Sequence, residues 1–363
     1  MSNEAIAALT ALGHRCHVVT RWSDVDTDAL ERLIEQAWRH DYTDEVHPRL
    51  GGAFLQQLTR GGNWLAAVCE DRTGKPVGFE VAVPRRLIFG QQSYSCWYVT
   101  AFSVDPDSRR RGVGTWVLET INNAVFGERG ADLVFSTFEG SKAGSVTVQA
   151  TYDAHGLAVR RFHESPVYVL RADARQDLPE SPGLAAIERV YAGQDGQLKF
   201  VGEHASRRAL PTVSELTAAV QASHAAAFAI EASFSDQLLC TPKDDTGSYW
   251  FEFGNGRWCW VTCTVTHLGY NDAAIGTSLL MQTVLHSGCS QAQLRECVAE
   301  LARMAFRSGH RALVAYDHSQ VSVETLLGLR FAPSGRFFLS VRGSTRTVAR
   351  LEQVAPPYFL DFT

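Results

Sequence analysis

The strongest pattern of apolar and polar positions lies around residues 97–125. Trp97-Tyr98-Val99-Thr100-Ala101-Phe102 is rich in aromatic and β-branched side chains and reads as a strand. Val113, Val117, Ile121, Ala124 and Val125 recur at helical spacing, so a helix begins at or near Gly112. Between them stands Ser103-Val104-Asp105-Pro106-Asp107-Ser108-Arg109-Arg110-Arg111-Gly112-Val113-Gly114. The unit is strand, glycine-bearing turn, helix.

Upstream, residues 16–20 are a short strand. Leu30, Leu33, Ile34, Ala37 and Trp38 share one face of a helix that starts near Asp28. The polar and aromatic segment 40–48 interrupts it. A second short helix takes in Phe54, Leu55 and Leu58 and stops at Gly61-Gly62. Residues 64–69 and 77–83 are strands joined by the turn at 71–75. Beyond the motif helix come a strand at 133–138, a helix at 146–155 ended by Gly156, and a strand at 166–170. Hairpin-spaced strands precede crossover helices, which predicts a mixed, mostly antiparallel sheet of α+β character flanked by helices.

Residues 171–186 hold little apolar content and read as a linker. The chain then repeats the inventory. A helix is expected at 213–230 and strands at 249–253, 258–265 and 275–285. Ser290 with Gln293 is a capping box that opens a helix striped by Leu294, Cys297, Val298, Leu301, Met304 and Ala305. A strand at 312–316, a short helix at 321–329 and a strand at 337–341 follow. The shared order predicts a tandem arrangement, with domains at 1–170 and 187–363.

Composition narrows the class. Apolar residues make up 45% and charged residues 20%, as in an ordinary globular protein. A formal charge of −5 argues against general nucleic-acid or membrane binding. Lysine occurs only at 75, 142, 199 and 243, and the arginine excess reads as the GC-rich coding of a bacterium. The eight cysteines form no C-x-x-C, and several lie in apolar runs, so buried reduced thiols are expected and no metal site. There is no apolar signal core and no run of membrane-spanning length, so a cytoplasmic location is expected.

The turn carries the candidate chemistry. A helix N-terminus presents unpaired N–H groups and partial positive charge. Gly112 and Gly114 let a phosphate approach that backbone, and Arg109, Arg110 and Arg111 add charge beside it. The pattern predicts a pyrophosphate-binding turn. A Rossmann turn is excluded because the third glycine is missing, and a P-loop because no Gly-Lys-Ser/Thr follows.

Val104, Pro106, Arg109, Gly112 and Gly114 form V-x-P followed by R-x-x-G-x-G at a helix start. This resembles motif A of the GNAT superfamily of acyl-CoA-dependent acyltransferases. Tyr152 with Gly156 resembles that family's later Tyr-x-x-x-Gly-Phe element, with Leu157 in place of phenylalanine. The resemblance spans roughly residues 15–170 and implies two tandem GNAT-like domains. It further implies acyl-CoA, acetyl-CoA foremost, held where two central strands splay, and direct acyl transfer to a small-molecule amine. The N–H groups of Arg110, Arg111, Gly112, Val113, Gly114 and Thr115 would hold the pyrophosphate. Backbone at Phe102, Ser103 and Val104 would meet the pantetheine amides. Tyr152 would act as the general acid towards the departing thiolate. Ser145 stands where many relatives have a cofactor-contacting asparagine.

The base is open. The family's strand glutamate falls near Tyr98, which is no carboxylate. Glu80 on the preceding strand is a further candidate, and His40 and His47 flank the segment where the family builds its acceptor site. Asp41, Asp44 and Glu45 there would attract a cationic acceptor or simply be solvated. The second half has no R-x-x-G-x-G at 286–290 and no tyrosine at 325–331, so it is expected to be catalytically degenerate. Transfer to a hydroxyl or a carrier-protein thiol, and a non-catalytic acyl-CoA-binding protein, remain as alternatives.

Overall fold

A computed structural model describes the chain apart from residues 1–2, 43–44, 50–54, 56–57, 60–62, 90–91, 140–157, 193–196, 202–209, 229–246, 272, 317–319, 355–357 and 360–363. In chain order the elements are α1 (Asn3–Ala11), β1 (Arg15–Val19), α2 (Thr27–Asp41), β2 (Val46–Arg49), β3 (Leu65–Glu70), β4 (Pro76–Phe89), β5 (Gln92–Val104), α3 (Val113–Asn122), β6 (Leu133–Glu139) and β7 (Ala158–Arg171). They continue as β8 (Leu184–Ala192), β9 (Leu198–Phe200), α4 (Val213–Ser223), β10 (Ala226–Phe228), β11 (Gly247–Phe253), β12 (Trp258–Tyr270) and β13 (Ala273–His286). The last are α5 (Gln291–Arg307), β14 (Ala312–Tyr316), α6 (Val323–Gly328), β15 (Ala332–Gly343), α7 (Thr345–Glu352) and β16 (Tyr358–Phe359). The class is mixed α/β, as the alternation of periods predicted.

Two compact units emerge. The first joins Met1–Glu164 with Tyr270–Ala273 and Phe337–Val354; the second holds Ser165–Gly269, Ala274–Arg336 and Ala355–Thr363. The units interleave along the chain, whereas the sequence reading divides it linearly at 171–186.

In the first unit the strands run β1-β3-β4-β5-β6-β15, with residues from Phe337 onward supplying the last. Pairing is antiparallel except between β5 and β6. Both sheet faces are covered, which is why five consecutive residues of β3, Leu65 to Cys69, are all buried. Val113, Val117 and Ile121 of α3 pack on Leu65, Ala67, Ala82, Val99 and Val134. Gly78 on β4 makes that approach possible, since a Cβ there would lie 2.7 Å from Val113 Cγ1 and 2.9 Å from Val117 Cγ2. Helix α2 is capped by Asp26, whose side chain accepts from Ala29 N. Its buried Leu30, Leu33, Ile34 and Ala37 pack on β4 and β5 and lie outside the α3-side cluster, so α2 takes the other face.

In the second unit the order is β7-β14-β13-β12-β11-β8-β9, with β13 and β14 parallel, and off this path β10 and β16 are parallel as well. The expected stripe of α5 buries Leu294, Cys297, Val298 and Leu301, and its Ser290–Gln293 capping box is formed in both directions. Cys259, Cys263, Cys289 and Cys297 are buried thiols in this core, and burial pushes Cys289 up to about 12.

The structure differs from these expectations in two respects. The helix predicted at 213–230 ends at Ser223, and Ala226 to Phe228 form a strand paired with β16. Those three residues are wholly buried, so sheet packing overrides alanine's helical preference. Helices α1 and α7 went unpredicted; α7 buries Val348 and Leu351 on one face. The expected helix at 146–155 lies outside the described residues. No helix among the described residues is long and apolar enough to cross a membrane.

Candidate active site

β5 and β6 are joined at one end and apart at the other. Ser95 N donates to Asp132 Oδ2 at 2.9 Å, and Asp132 N donates back to Ser95 O at 2.9 Å. The parallel pairing runs from Cys96↔Leu133 to Val99↔Ser136 and stops. Beyond that rung β5 follows β4, and β6 follows β15. A bulge sets the divergence. Phe79 pairs with Ser103 but Val81 pairs with Thr100, so β5 carries one extra residue opposite Glu80. Ala101 takes it up at φ 57°, and Ser103 Oγ donates to Ala101 O at 3.1 Å. Bulges bend and twist a strand away from its neighbour.

The turn after β5 is braced before it is exposed. Asp105 N donates to Val77 O, while the Asp105 carboxylate accepts from Asp107 N and, at 2.8 Å, from Lys75 Nζ. That hydrogen bond raises the Lys75 pKa. Arg110 at φ 61° and Gly112 at φ 87° are both left-handed, and α3 starts at the next residue with no side chain capping it. Gly114 sits close on β5: a Cβ there would be 3.1 Å from Phe102 Cζ and 3.2 Å from Val104 Cγ2. Ser103, Val104 and Val113 are buried, Phe102 and Thr115 half-buried, and Arg110 and Arg111 exposed. Arg109 is different. Its Nη1 donates to Asp41 Oδ1 at 2.7 Å, its Nη2 to Ala37 O at 3.3 Å and its Nε to Val104 O at 3.4 Å. This guanidinium ties the turn to the end of α2.

On the α2 side of the sheet a polar cluster borders the opening. Trp97 and Val99 face α3, so Tyr98 faces the other way, and its hydroxyl lies 2.8 Å from Thr137 Oγ1. Two residues on, Glu139 Oε2 accepts a short hydrogen bond from Tyr42 Oη at the end of α2. Burial, then the Glu139 bond, pushes the Tyr42 phenol far above its ordinary pKa, so it stays protonated and donates. His47 is buried with its ring centroid 6.4 Å from that of Tyr42, and its Nδ1 is 3.3 Å from Glu45 O. His40 is exposed beside Arg109. Glu80 is buried, but alternation with Gly78 and Ala82 turns it towards α3, and β5 stands between it and the opening. Tyr98 and Glu80 therefore do not meet. Asp44, Ser145, Tyr152 and Gly156 lie outside the described residues. Among the described residues no three His, Cys, Asp or Glu side chains are grouped to hold a metal.

Residues 27–157 match the acetyltransferase (GNAT) family. The chain carries a GNAT acetyltransferase domain, and with it an acyltransferase framework. No curated protein sequence matches the chain significantly. Among solved structures it is similar to Saccharomyces cerevisiae N-myristoyltransferase with bound myristoyl-CoA, at 11% identity and a TM-score of 0.65, covering 91% of this chain and 82% of that one. It is also similar to a GCN5-related N-acetyltransferase from Anabaena variabilis (14% identity, TM-score 0.53, covering 91% and 73%). A third is a probable N-acyltransferase from Enterococcus faecalis (10%, TM-score 0.52, covering 91% and 72%). At these identities the likeness is one of fold, and it extends over both units of the chain.

The GNAT domain's motif glycines and arginines were legible from spacing. Tyr42, Ser136, Thr137 and Glu139 were not. Ser136 forms the last shared rung, with a buried Oγ that makes no hydrogen bond among the described residues. Thr137 and Glu139 alternate in a β-like run and gain meaning only through partners far along the chain.

Proposed function

We propose that the protein is an acyl-CoA-dependent N-acyltransferase, with acetyl-CoA as donor and the amine of a small metabolite as acceptor. The carrying observation is the turn at 110–115, where two left-handed residues precede an uncapped helix start beside the open end of β5 and β6. Such a turn gathers N–H groups into an anion cradle. The exposed Arg110 and Arg111 supply charge for a pyrophosphate. Phe102, Ser103 and Val104 offer a strand edge to the pantetheine amides, and the buried Ser136 hydroxyl gains a partner when that arm is present. Arg109 acts from behind, holding the turn against α2. Tyr152 protonates the leaving thiolate, and Ser145 contacts the cofactor, both by resemblance. By the sequence division the catalytic domain is 1–170, joined through 171–186 to the degenerate domain 187–363, and Phe337–Val354 of the latter complete the first compact unit.

The second unit supports its degenerate reading from its own geometry. Its parallel pair also ends early, at Met281↔Ala315, and α5 follows in the place of α3. There the Ser290–Gln293 box occupies the helix start that a phosphate would need. The protein works in the cytoplasm of a bacterium on this reading.

The test is acetyl-CoA with a panel of amines, following free thiol and product mass. Thiol release that depends on an amine, with an N-acetyl product, is expected. A protein that binds acetyl-CoA but releases no thiol beyond hydrolysis with any amine overturns the assignment. An O-acetyl or carrier-bound product would move the acceptor to oxygen or sulfur.

A further inference from the structure

We infer that Glu139, held by Tyr42, is the general base that takes the proton from the acceptor. The inference rests on the acyl-transfer reading above and adds the group which that reading leaves undefined.

Position comes first. Glu139 ends β6, three residues beyond the last rung shared with β5, on the free flank of the opening. Its side chain is on the face of Tyr98 and Thr137, away from α3 and the pyrophosphate turn. A donor lying along β5 with its phosphates at the α3 end presents its thioester near the Val99–Ser136 rung. An acceptor approaching from the α2 side then meets Thr137 and Glu139 before any other polar residue of β6.

Chemistry comes second. Glu139 is half-buried, and Tyr42 holds only Oε2. Among the described residues no hydrogen bond reaches Oε1, which leaves that oxygen for a proton. The phenol fixes the carboxylate's direction, as a third group orients a base in other acyl-transfer sites. Glu80, by contrast, faces α3 behind β5. Asp41 is occupied by Arg109.

The step balances. An acceptor ammonium gives one proton to Glu139 Oε1 and becomes a free amine. Its lone pair forms the C–N bond to the thioester carbonyl and the C–S bond breaks; the nitrogen, cationic after attack, gives up its second proton, and the departing coenzyme A thiolate takes that proton up to leave as the thiol. The excess proton passes from Glu139 to water. Tyr42 is a positioning residue, since it acts only through Glu139.

The experiment uses the full chain and the best amine of the panel. Glu139→Gln should lower kcat about 100-fold or more, the usual worth of a base, with acetyl-CoA affinity and thermal midpoint unchanged. The acid limb of the kcat/KM profile should disappear with it. Tyr42→Phe leaves every carboxylate in place and should lower kcat several-fold, with its acid limb displaced. Wild-type turnover that Glu139→Gln retains, acid limb included, overturns the base and leaves the acyl-transfer reading standing. Absence of turnover by the unmodified chain with every amine overturns that reading and this inference together. Should Glu139→Gln fail to fold, Tyr42→Phe with an unaltered rate and pH profile overturns the inference.

Discussion

Gly78→Ala puts one methyl group between β4 and α3. The new Cβ would lie 2.7 Å from Val113 Cγ1 and 2.9 Å from Val117 Cγ2, against a carbon contact distance of about 3.5–4.0 Å. Both valines are fully buried, and β-branched side chains in a helix have essentially one rotamer, so neither can turn aside. The helix must lift by roughly 1 Å, and overpacking of this kind costs about 1–3 kcal/mol. For a unit of this size that is a fall in midpoint of about 4–8 °C at the middle of the range. Gly127→Ala is the control, because nothing lies within 4 Å of its added Cβ and its φ is ordinary; it should be neutral or slightly stabilising. Calorimetry and urea titration of both variants measure the difference, and acetyl-CoA titration reads whether lifting α3 also moves the turn. A Gly78→Ala midpoint within about 1 °C of Gly127→Ala would refute the account of how α3 closes on the sheet.

Three further outcomes follow from the turn and the acid. Arg109→Ala removes an ion pair whose partners are only 29% and 25% exposed, so it should cost about 1–2 kcal/mol of stability, measured by urea titration. Arg110→Ala with Arg111→Ala should leave stability alone and weaken acetyl-CoA about tenfold at low salt, with the deficit shrinking as salt rises. Calorimetric titration that finds Arg109→Ala the more damaging to affinity would reverse these roles. Tyr152→Phe should lower kcat about 100-fold with acetyl-CoA affinity unchanged, by steady-state kinetics beside binding; an unaltered kcat removes Tyr152 from the acid role.

What the sequence discloses here is whatever has a short period. The stripe of α3, the Ser290–Gln293 box and the buried run of β3 each declare themselves within a few residues, because burial on one face or two imposes a spacing. The glycines are legible for a related reason: Gly112 is left-handed, and Gly114 touches Phe102 and Val104, both local demands on the backbone. Long-range partnership leaves no such trace. Phe337 to Gly343 pair with β6 across some two hundred residues, and the Tyr42–Glu139 bond joins positions 97 apart. Ala226 to Phe228 mislead for the same cause, since their neighbour in the sheet is at Tyr358 and Phe359. Charge and its place in the motif mark Arg109 as a phosphate ligand; its bonds to Asp41 and Ala37 are visible only in the fold.

Asp41 and Tyr42 are consecutive residues with separate obligations. One accepts from Arg109 of the turn, and the other donates to Glu139 across the opening. Their Cα atoms are joined by a single trans peptide, about 3.8 Å. The last turn of α2 thus works as a balance beam, loaded at one end by the turn and at the other by the carboxylate. On the proposed reading, the turn that takes the donor and the carboxylate that meets the acceptor are anchored on neighbouring residues of one helix end, so a single local element sets the placement of both.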